Sequence, residues 1–226
     1  METLNKDTAK RVIAANIADL YKDCQETVVM NLGVGIPNMV ADYITNPNVY
    51  IQGENGMLGV GPLAKEGEEI ENLINSGRNP VLETPGCSYF DSSEAFGMIR
   101  GGNIDVAVIG AFEVDGHGNV ANWIIPNGKQ LGVGGAMDLV QGANTLIISM
   151  RHLDKHGKTK LLKDCSLPLT GRQSVDYIVT EYAVFKFMGE RFSCIRKSAN
   201  ISIEELKKIT EFDFDVSDHL GVMLEA

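Results

Sequence analysis

Three stretches of this chain are apolar at nearly every position rather than at every second one. They are Ile104 to Ala111, broken only by Asp105, then Asn144 to Met150, and Tyr177-Ile178-Val179-Thr180. A strand turns successive side chains to opposite faces, so a run without alternation is a strand buried on both. Helices covering both faces of a parallel sheet supply that environment, and the expectation is therefore α/β. Thr27 to Leu32 and Val49-Tyr50-Ile51 are further short runs of strand type. Between them stand Gly33-Val34-Gly35-Ile36-Pro37 and a stretch from about Asn38 to Ile44 that reads as helix. Strand, glycine turn, helix, strand is the grammar of a βαβ unit.

Outside that frame, Ala9 to Leu20 carries Val12, Ile13, Ile17 and Leu20 at helical spacing behind a cap at Asp7-Thr8. Short strands are expected at 184–187 and 193–196. A last helix starts at Ser202, where Ser202-Ile203-Glu204-Glu205 fits a capping box. No repeat or linker divides the 226 residues. The expected architecture is one domain over residues 1–226 with a mainly parallel central sheet.

Three glycine-bearing loops follow strand-like segments: Gly33-Val34-Gly35, Gly53 to Gly61, and Gly132 to Gly135. In an open parallel sheet, loops at the carboxyl ends of strands form the ligand crevice. Glu54 is the carboxylate of the second loop, set among glycines and a proline that read as irregular backbone. If the three loops share one edge, Glu54 faces backbone N–H groups, as a nucleophile faces an oxyanion hole. Its alternative is a solvated carboxylate at a hairpin tip. The first loop is also a fragment of a dinucleotide fingerprint, but Asn38 stands where the third glycine belongs.

Charge and composition exclude other chemistries. A net charge of −10, with no Lys/Arg cluster longer than a pair, argues against nucleic acid, whose binding rests on phosphate neutralisation. No apolar run approaches the ~18–20 residues of a membrane span, and Met1 to Asp7 has no signal-peptide pattern. Cys24, Cys87, Cys165 and Cys194 are widely scattered, which reads as reduced thiols in a cytoplasmic protein. His152 and His156 have the spacing of two ligands on a helix, but Arg151 to Lys160 reads as a loop, so no metal site is expected. His117, in a glycine turn, is expected at the surface, and Trp123 as a packing anchor.

Taken in order, the motifs resemble those of the β subunit of a family I (3-oxoacid) CoA-transferase, of the acetate/butyrate–acetoacetate type. The resemblance rests on Asn31-Leu32-Gly33-Val34-Gly35-Ile36-Pro37, Glu54-Asn55-Gly56-Met57-Leu58-Gly59, Phe90-Asp91-Ser92-Ser93 and Ile99-Arg100-Gly101-Gly102. It continues through Ala121-Asn122-Trp123, Gly134-Gly135-Ala136-Met137-Asp138-Leu139-Val140 and Pro168-Leu169-Thr170-Gly171, covering nearly the whole chain. It implies a fold shared with ribose-5-phosphate isomerase, no permanently bound cofactor, and coenzyme A as substrate and covalent intermediate. It also implies an α-subunit partner in an α2β2 assembly, because relatives encoded as one chain are about twice this length.

The resemblance further implies ping-pong transfer with Glu54 as nucleophile. Gly135 then corresponds to the oxyanion glycine. Gly33, Val34, Gly35 and Gly134 correspond to the loops lining the CoA site, and Lys155 to a lysine that contacts CoA. Asn55 either orients Glu54 or tolerates the turn. Three positions depart from the pattern: Gly53 replaces a serine, Asn127 lengthens the Pro-Gly-Lys stretch at Pro126 to Gln130, and Arg151, expected to be solvated, replaces an acidic or polar residue. A sugar-phosphate isomerase on the same fold does not account for Gly-Gly-Ala-Met-Asp. A metabolite-sensing module would have lost the glutamate.

Overall fold

The computed structural model describes residues 4–128 and 132–225. Met1 to Thr3 of the N-terminal reading, and Lys129 and Gln130 of the lengthened stretch, lie outside the described residues. The chain runs α1 (Lys6–Asp19), β1 (Val28–Leu32), α2 (Ile36–Met39) with a 3-10 turn (Val40–Tyr43), β2 (Val49–Gly53), β3 (Met57–Leu63), β4 (Val81–Tyr89) and α3 (Ser92–Arg100). It continues through β5 (Ile104–Ile109), β6 (Glu113–Asp115), β7 (Val120–Ala121), α4 (Ala136–Gly142), β8 (Ala143–Ser149), β9 (Leu161–Leu162) and β10 (Tyr177–Val179). β11 (Ala183–Phe187), β12 (Phe192–Lys197), α5 (Ile203–Lys208) and β13 (Phe214–Val222) complete it.

Ten strands form one sheet in the order β13-β12-β11-β10-β8-β5-β1-β2-β3-β4. The five strands β10-β8-β5-β1-β2 are mutually parallel; β3 and β4 extend one flank by antiparallel pairing, and β11 and β12 the other, where β13 then pairs parallel with β12. β7, β6 and β9 make a small separate sheet.

The unalternating runs have the two-sided burial expected of them. Leu146 and Ile148 of β8, and Ile178 of β10, pack with Ile99 of α3 and with Leu139 and Val140 of α4. Ile147, Val179, Val106 and Val108 face the other way, against Val12, Ile13 and Ile17 of α1. One apolar cluster therefore lies on each side of the sheet. Burying each large aliphatic side chain contributes about 1.5–3 kcal/mol, and β5 and β8 do so on both faces.

Local chemistry corrects several boundaries. α1 is capped by Asn5, whose Oδ1 accepts from Asp7 N and Thr8 N at 3.1 and 2.9 Å, so Asp7-Thr8 belongs to the first turn. The helix expected over 38–44 starts earlier, at Ile36 with Pro37 in its first turn, and tightens at Val40. Ser202 and Glu205 form the capping box of α5. The stretch after Gly53 is not irregular. Met57–Leu63 is a strand whose glycines allow close approach: a Cβ at Gly61 would lie 2.6 Å from Leu82 O. Register shifts at Leu58/Val60 and Val60/Leu63 bend it against β4.

No helix among the described residues is long and apolar enough to cross a membrane. Arg151 to Lys160 is a tight hairpin closed by a Leu153–Thr159 bridge, with Asp154 Oδ1 accepting from His156 N and Lys158 N. His117 is exposed, 3.6 Å from Asp164. Trp123 is half-buried, and its Nε1 has no hydrogen-bond partner among the described residues.

His152 is fully buried and bonded at both ring nitrogens: Nδ1 to Thr180 Oγ1 (3.1 Å), Nε2 to Ile209 O (3.2 Å) and Thr210 Oγ1 (3.1 Å). Burial drives its pKa from 6.5 down to about 3. As pH falls below 6.5 the unfolded chain takes up this proton and the folded chain does not. Stability is therefore lost as pH falls from about 6.5 towards 3. The steepest contribution is about 1.4 kcal/mol per pH unit. Denaturant titrations at pH 7 and pH 5 are expected to differ by about 2 kcal/mol more in the wild type than in His152→Gln.

Candidate active site

β1, β2 and β5 are parallel neighbours, so their carboxyl ends open on one edge. β1 ends in Leu32, and Gly33 N then donates to Val108 O at 2.9 Å, pinning the glycine loop to the end of β5. Gly35 has φ +94°, a conformation glycine adopts without a Cβ penalty, and α2 begins at the next residue. β2 runs into a four-residue turn, Gly53 to Gly56, closed by Gly56 N donating to Gly53 O at 3.0 Å. Gly53 then pairs with Met57 across an antiparallel hairpin.

Glu54 is thus at a hairpin tip and also at the carboxyl edge of the parallel strands, so the two alternatives for it are one geometry. Gly56 has φ +113°, and a Cβ there would sit 2.0 Å from Phe90 O. Phe90 N donates to Gly56 O at 3.0 Å, so the chain entering α3 grips the turn. The α3 N-terminus is capped by Asp91, whose Oδ1 accepts from Ser93 N (2.8 Å) and Glu94 N (3.0 Å). The Ser93 hydroxyl, donating to the same oxygen at 2.6 Å, together with those two backbone bonds holds the Asp91 carboxyl below the usual carboxylate range.

A cleft of about 410 Å³ brings together Gly33, Val34, Glu54, Gly134 and Gly135. Gly135 precedes α4, and the Phe96 ring of α3 lies 3.1 Å from where its Cβ would stand. Asn122 also lines the cleft. Its Oδ1 accepts from Thr170 Oγ1 at 2.7 Å, and its Nδ2 donates to Gly110 O at 3.3 Å. The Ala-Asn-Trp and Pro-Leu-Thr-Gly motifs therefore meet behind one wall of this cleft.

A second cleft, of about 400 Å³, shares Val34, Gly110 and Ala111 with the first. It collects Lys6, Lys10, Arg151, Lys155 and Lys160, a concentration of cations on a chain of net charge −10. Lys155 is exposed there, and Gly35 lies on the loop beside both clefts. Arg151 is half-buried rather than solvated. Its Nε stands 3.7 Å from Glu181 Oε1, too far for a hydrogen bond, and has no hydrogen-bond partner among the described residues. Burial lowers the Lys160 ammonium to about 8, with Arg151 adding to the effect and Glu181 opposing it. Burial also raises the Glu181 carboxyl, which accepts from His152 N at 2.9 Å. Among the described residues no three His, Cys, Asp or Glu side chains are grouped to hold a metal ion.

Asn55 turns away from the carboxylate: its Nδ2 donates to Ile74 O at 2.8 Å and its Oδ1 accepts from Ser76 Oγ at 3.5 Å. The amide at Glu54 belongs to Asn31, on the next strand, whose Nδ2 donates to Glu54 Oε2 at 3.2 Å. Sequence reasoning named Asn31 only as part of a motif. The available signal was a polar residue inside the apolar run of β1, a position where an amide has to find partners.

The coenzyme A transferase family matches residues 14–208. The chain is 44% identical over 213 residues to one subunit of a probable succinyl-CoA:3-ketoacid coenzyme A transferase of Bacillus subtilis, covering 94% of this chain and 97% of that one. It is 42% identical to the beta subunit of an acetate CoA-transferase of Haemophilus influenzae, covering 95% of each. Among solved structures, an acyl-CoA transferase (YdiF) of Escherichia coli superposes with a TM-score of 0.74 at 20% identity. The match takes in 100% of this chain and 45% of that longer one, and it bears on the fold alone. The likeness in sequence to the two subunits, over nearly their full lengths, bears on more than fold: the chain belongs to the coenzyme A transferase family.

Proposed function

We propose that this chain is the glutamate-bearing β subunit of a transferase that moves CoA between an acyl-CoA and a short-chain carboxylate of the acetate, butyrate or acetoacetate type. The observation that carries the reading is Glu54 at the tip of its hairpin, in a cleft it shares with two glycine loops and beside a second cleft lined by five cations. The relatives are named as subunits, which supports an α partner and an α2β2 assembly. The sheet that runs from β1 to β13 supports one domain over the whole chain. Unpaired cysteines at all four positions suit a reducing cytoplasm.

In the proposed reaction a Glu54 carboxylate oxygen attacks the thioester carbonyl, and the C–S bond breaks to give an acyl-glutamyl anhydride and CoA thiolate. The thiolate attacks the glutamyl carbonyl, expelling the first carboxylate and leaving a glutamyl-CoA thioester. A second carboxylate runs the steps in reverse. The acyl group stays activated throughout, so no nucleotide is consumed. Gly135 supplies an N–H to the thioester oxyanion. Gly33, Val34, Gly35 and Gly134 line the path of the CoA arm. Lys155, with Lys6, Lys10, Arg151 and Lys160, meets its phosphates. Asn55 anchors the Glu54 turn to Ile74.

Intact-mass spectrometry of the co-purified α–β complex with acetoacetyl-CoA is expected to show a covalent CoA adduct on the wild-type chain and none on Glu54→Ala. No adduct from a folded complex across several acyl-CoAs would overturn the reading. Lys160 is cationic below about 8 and neutral above it, so anion binding should weaken as pH rises through that value. KM for the acyl-CoA is expected to rise about tenfold between pH 7 and pH 9, the worth of one charge-assisted contact. Lys160→Met is expected to show a high KM that is flat over the same range.

A further inference from the structure

Asn31 is completely buried at the next-to-last position of β1, and its amide is hydrogen-bonded there. Its Nδ2 has three oxygens around it: Gln52 Oε1 at 2.7 Å, Gln52 O at 3.2 Å and Glu54 Oε2 at 3.2 Å. A backbone carbonyl and a carboxylate only accept, so the nitrogen of the amide is fixed on that side. Gln52, also buried, is oriented in turn by its Nε2 donating to Ala95 O of α3 at 3.4 Å, which leaves its Oε1 to accept from Asn31. The bonds form a directed series: a carbonyl of α3 sets Gln52, Gln52 sets Asn31, and Asn31 sets one oxygen of Glu54. At its far end Asn31 Oδ1 is buried with no donor among the described residues, which carries the cost of an unsatisfied buried polar atom. A residue kept for packing would be apolar at this position and avoid that cost. The amide is explained by what its nitrogen holds.

We propose that Asn31 and Gln52 are positioning residues for the transfer reaction. They hold Glu54 Oε2 at the wall of the cleft, so that Oε1 is the oxygen presented to the thioester. This rests on Glu54 being the nucleophile. The carboxylate sits on a two-residue turn tip and otherwise has free torsions in its side chain. One fixed oxygen removes that freedom before substrate arrives, and misplacement of a reacting atom by about 1 Å costs about 10²-fold in rate. The contact is also selective among the states of Glu54. An N–H bond to a carboxylate is charge-assisted, and it loses that assistance once Glu54 is an anhydride or thioester. Asn31 can then give both hydrogens to Gln52. The series therefore holds the free carboxylate more tightly than the acylated one, and leaves the acylated arm free to turn between its two partners.

The test is single-turnover formation of the CoA adduct on the co-purified α–β complex with acetoacetyl-CoA, followed by intact mass. Asn31→Ser is expected to form the adduct about 10²-fold more slowly, to the full wild-type amplitude, with KM for the acyl-CoA within about threefold of wild type. Gln52→Leu, which keeps Asn31 but frees its orientation, is expected to lose about tenfold in the same rate. It carries the test if Asn31→Ser does not assemble. A purely structural role would lower the amplitude, as fewer folded sites, and leave the rate of the remainder unchanged; that result overturns the proposal. Adduct formation at wild-type rate in both variants overturns it as well, with Glu54 still the nucleophile. Absence of adduct in the wild type removes the nucleophile itself, and the proposal with it.

Discussion

Burial of β5 and β8 on both faces is the constraint on which the rest of this structure depends. Strands that are apolar on two sides need cover on two sides, and the chain supplies α1 on one and α3 with α4 on the other. α2 lies on the crossover from β1 to β2 and α4 on that from β5 to β8, so these strands are parallel and their carboxyl ends gather on one edge. The first glycine loop is at that edge because β1, which carries it, neighbours β5, and Glu54 is there because β2 neighbours β1 on the far side. Gly135 reaches it from the start of α4. The site is thus a by-product of how the sheet is covered, and its loops are irregular where the crossing chain turns.

α3 has a part in both halves of the site. Its entry residue Phe90 bonds to Gly56 in the glutamate turn, its Ala95 carbonyl receives Gln52, and its Phe96 ring closes on Gly135. Further along, a Cβ at Gly142 would lie 2.1 Å from Ile99 O, so α3 and the end of α4 touch through backbone. Arg100 adds an ion pair to Asp138 at 3.1 Å across the two helices, exposed and of small energetic value. The relative placement of Glu54 and the Gly135 loop is therefore set by one nine-residue helix with close packing at each contact.

Much of this was legible in the sequence. The unalternating runs identified the central strands, the glycine loops marked the crevice, and Ser202 with Glu205 announced the last helix. The strands at the margins were hidden for physical reasons. β3 and β4 carry Gly59, Gly61, Pro62, Pro85 and Gly86, which in sequence read as breakers and in the sheet serve as bulges and close approaches. β13 is a largely exposed outer strand whose alternation of Phe214, Val216, Leu220 and Val222 is broken by Asp218, so its apolar signature is weak. Within the candidate site, the setting of Glu54 left a solvated hairpin tip open and the family resemblance singled it out, whereas Asn31 stood only within a motif, because its contact to Glu54 is made across strands. Arg151 was misjudged because solvation is the commonest state of an arginine, and only the packed hairpin shows the side chain folded back towards Glu181.

Val34 is one of the few large apolar side chains left open, 68% exposed, and it forms part of both clefts. A ligand that reaches from the cationic cleft to Glu54 has to lie across it, and water leaves that side chain when the ligand arrives. Removing apolar surface from water lowers the heat capacity of the complex. For a polyanion seated across the two clefts, Val34 adds a hydrophobic component that salt screens little and that changes with temperature, whereas charge pairing with the lysines of the second cleft varies with ionic strength.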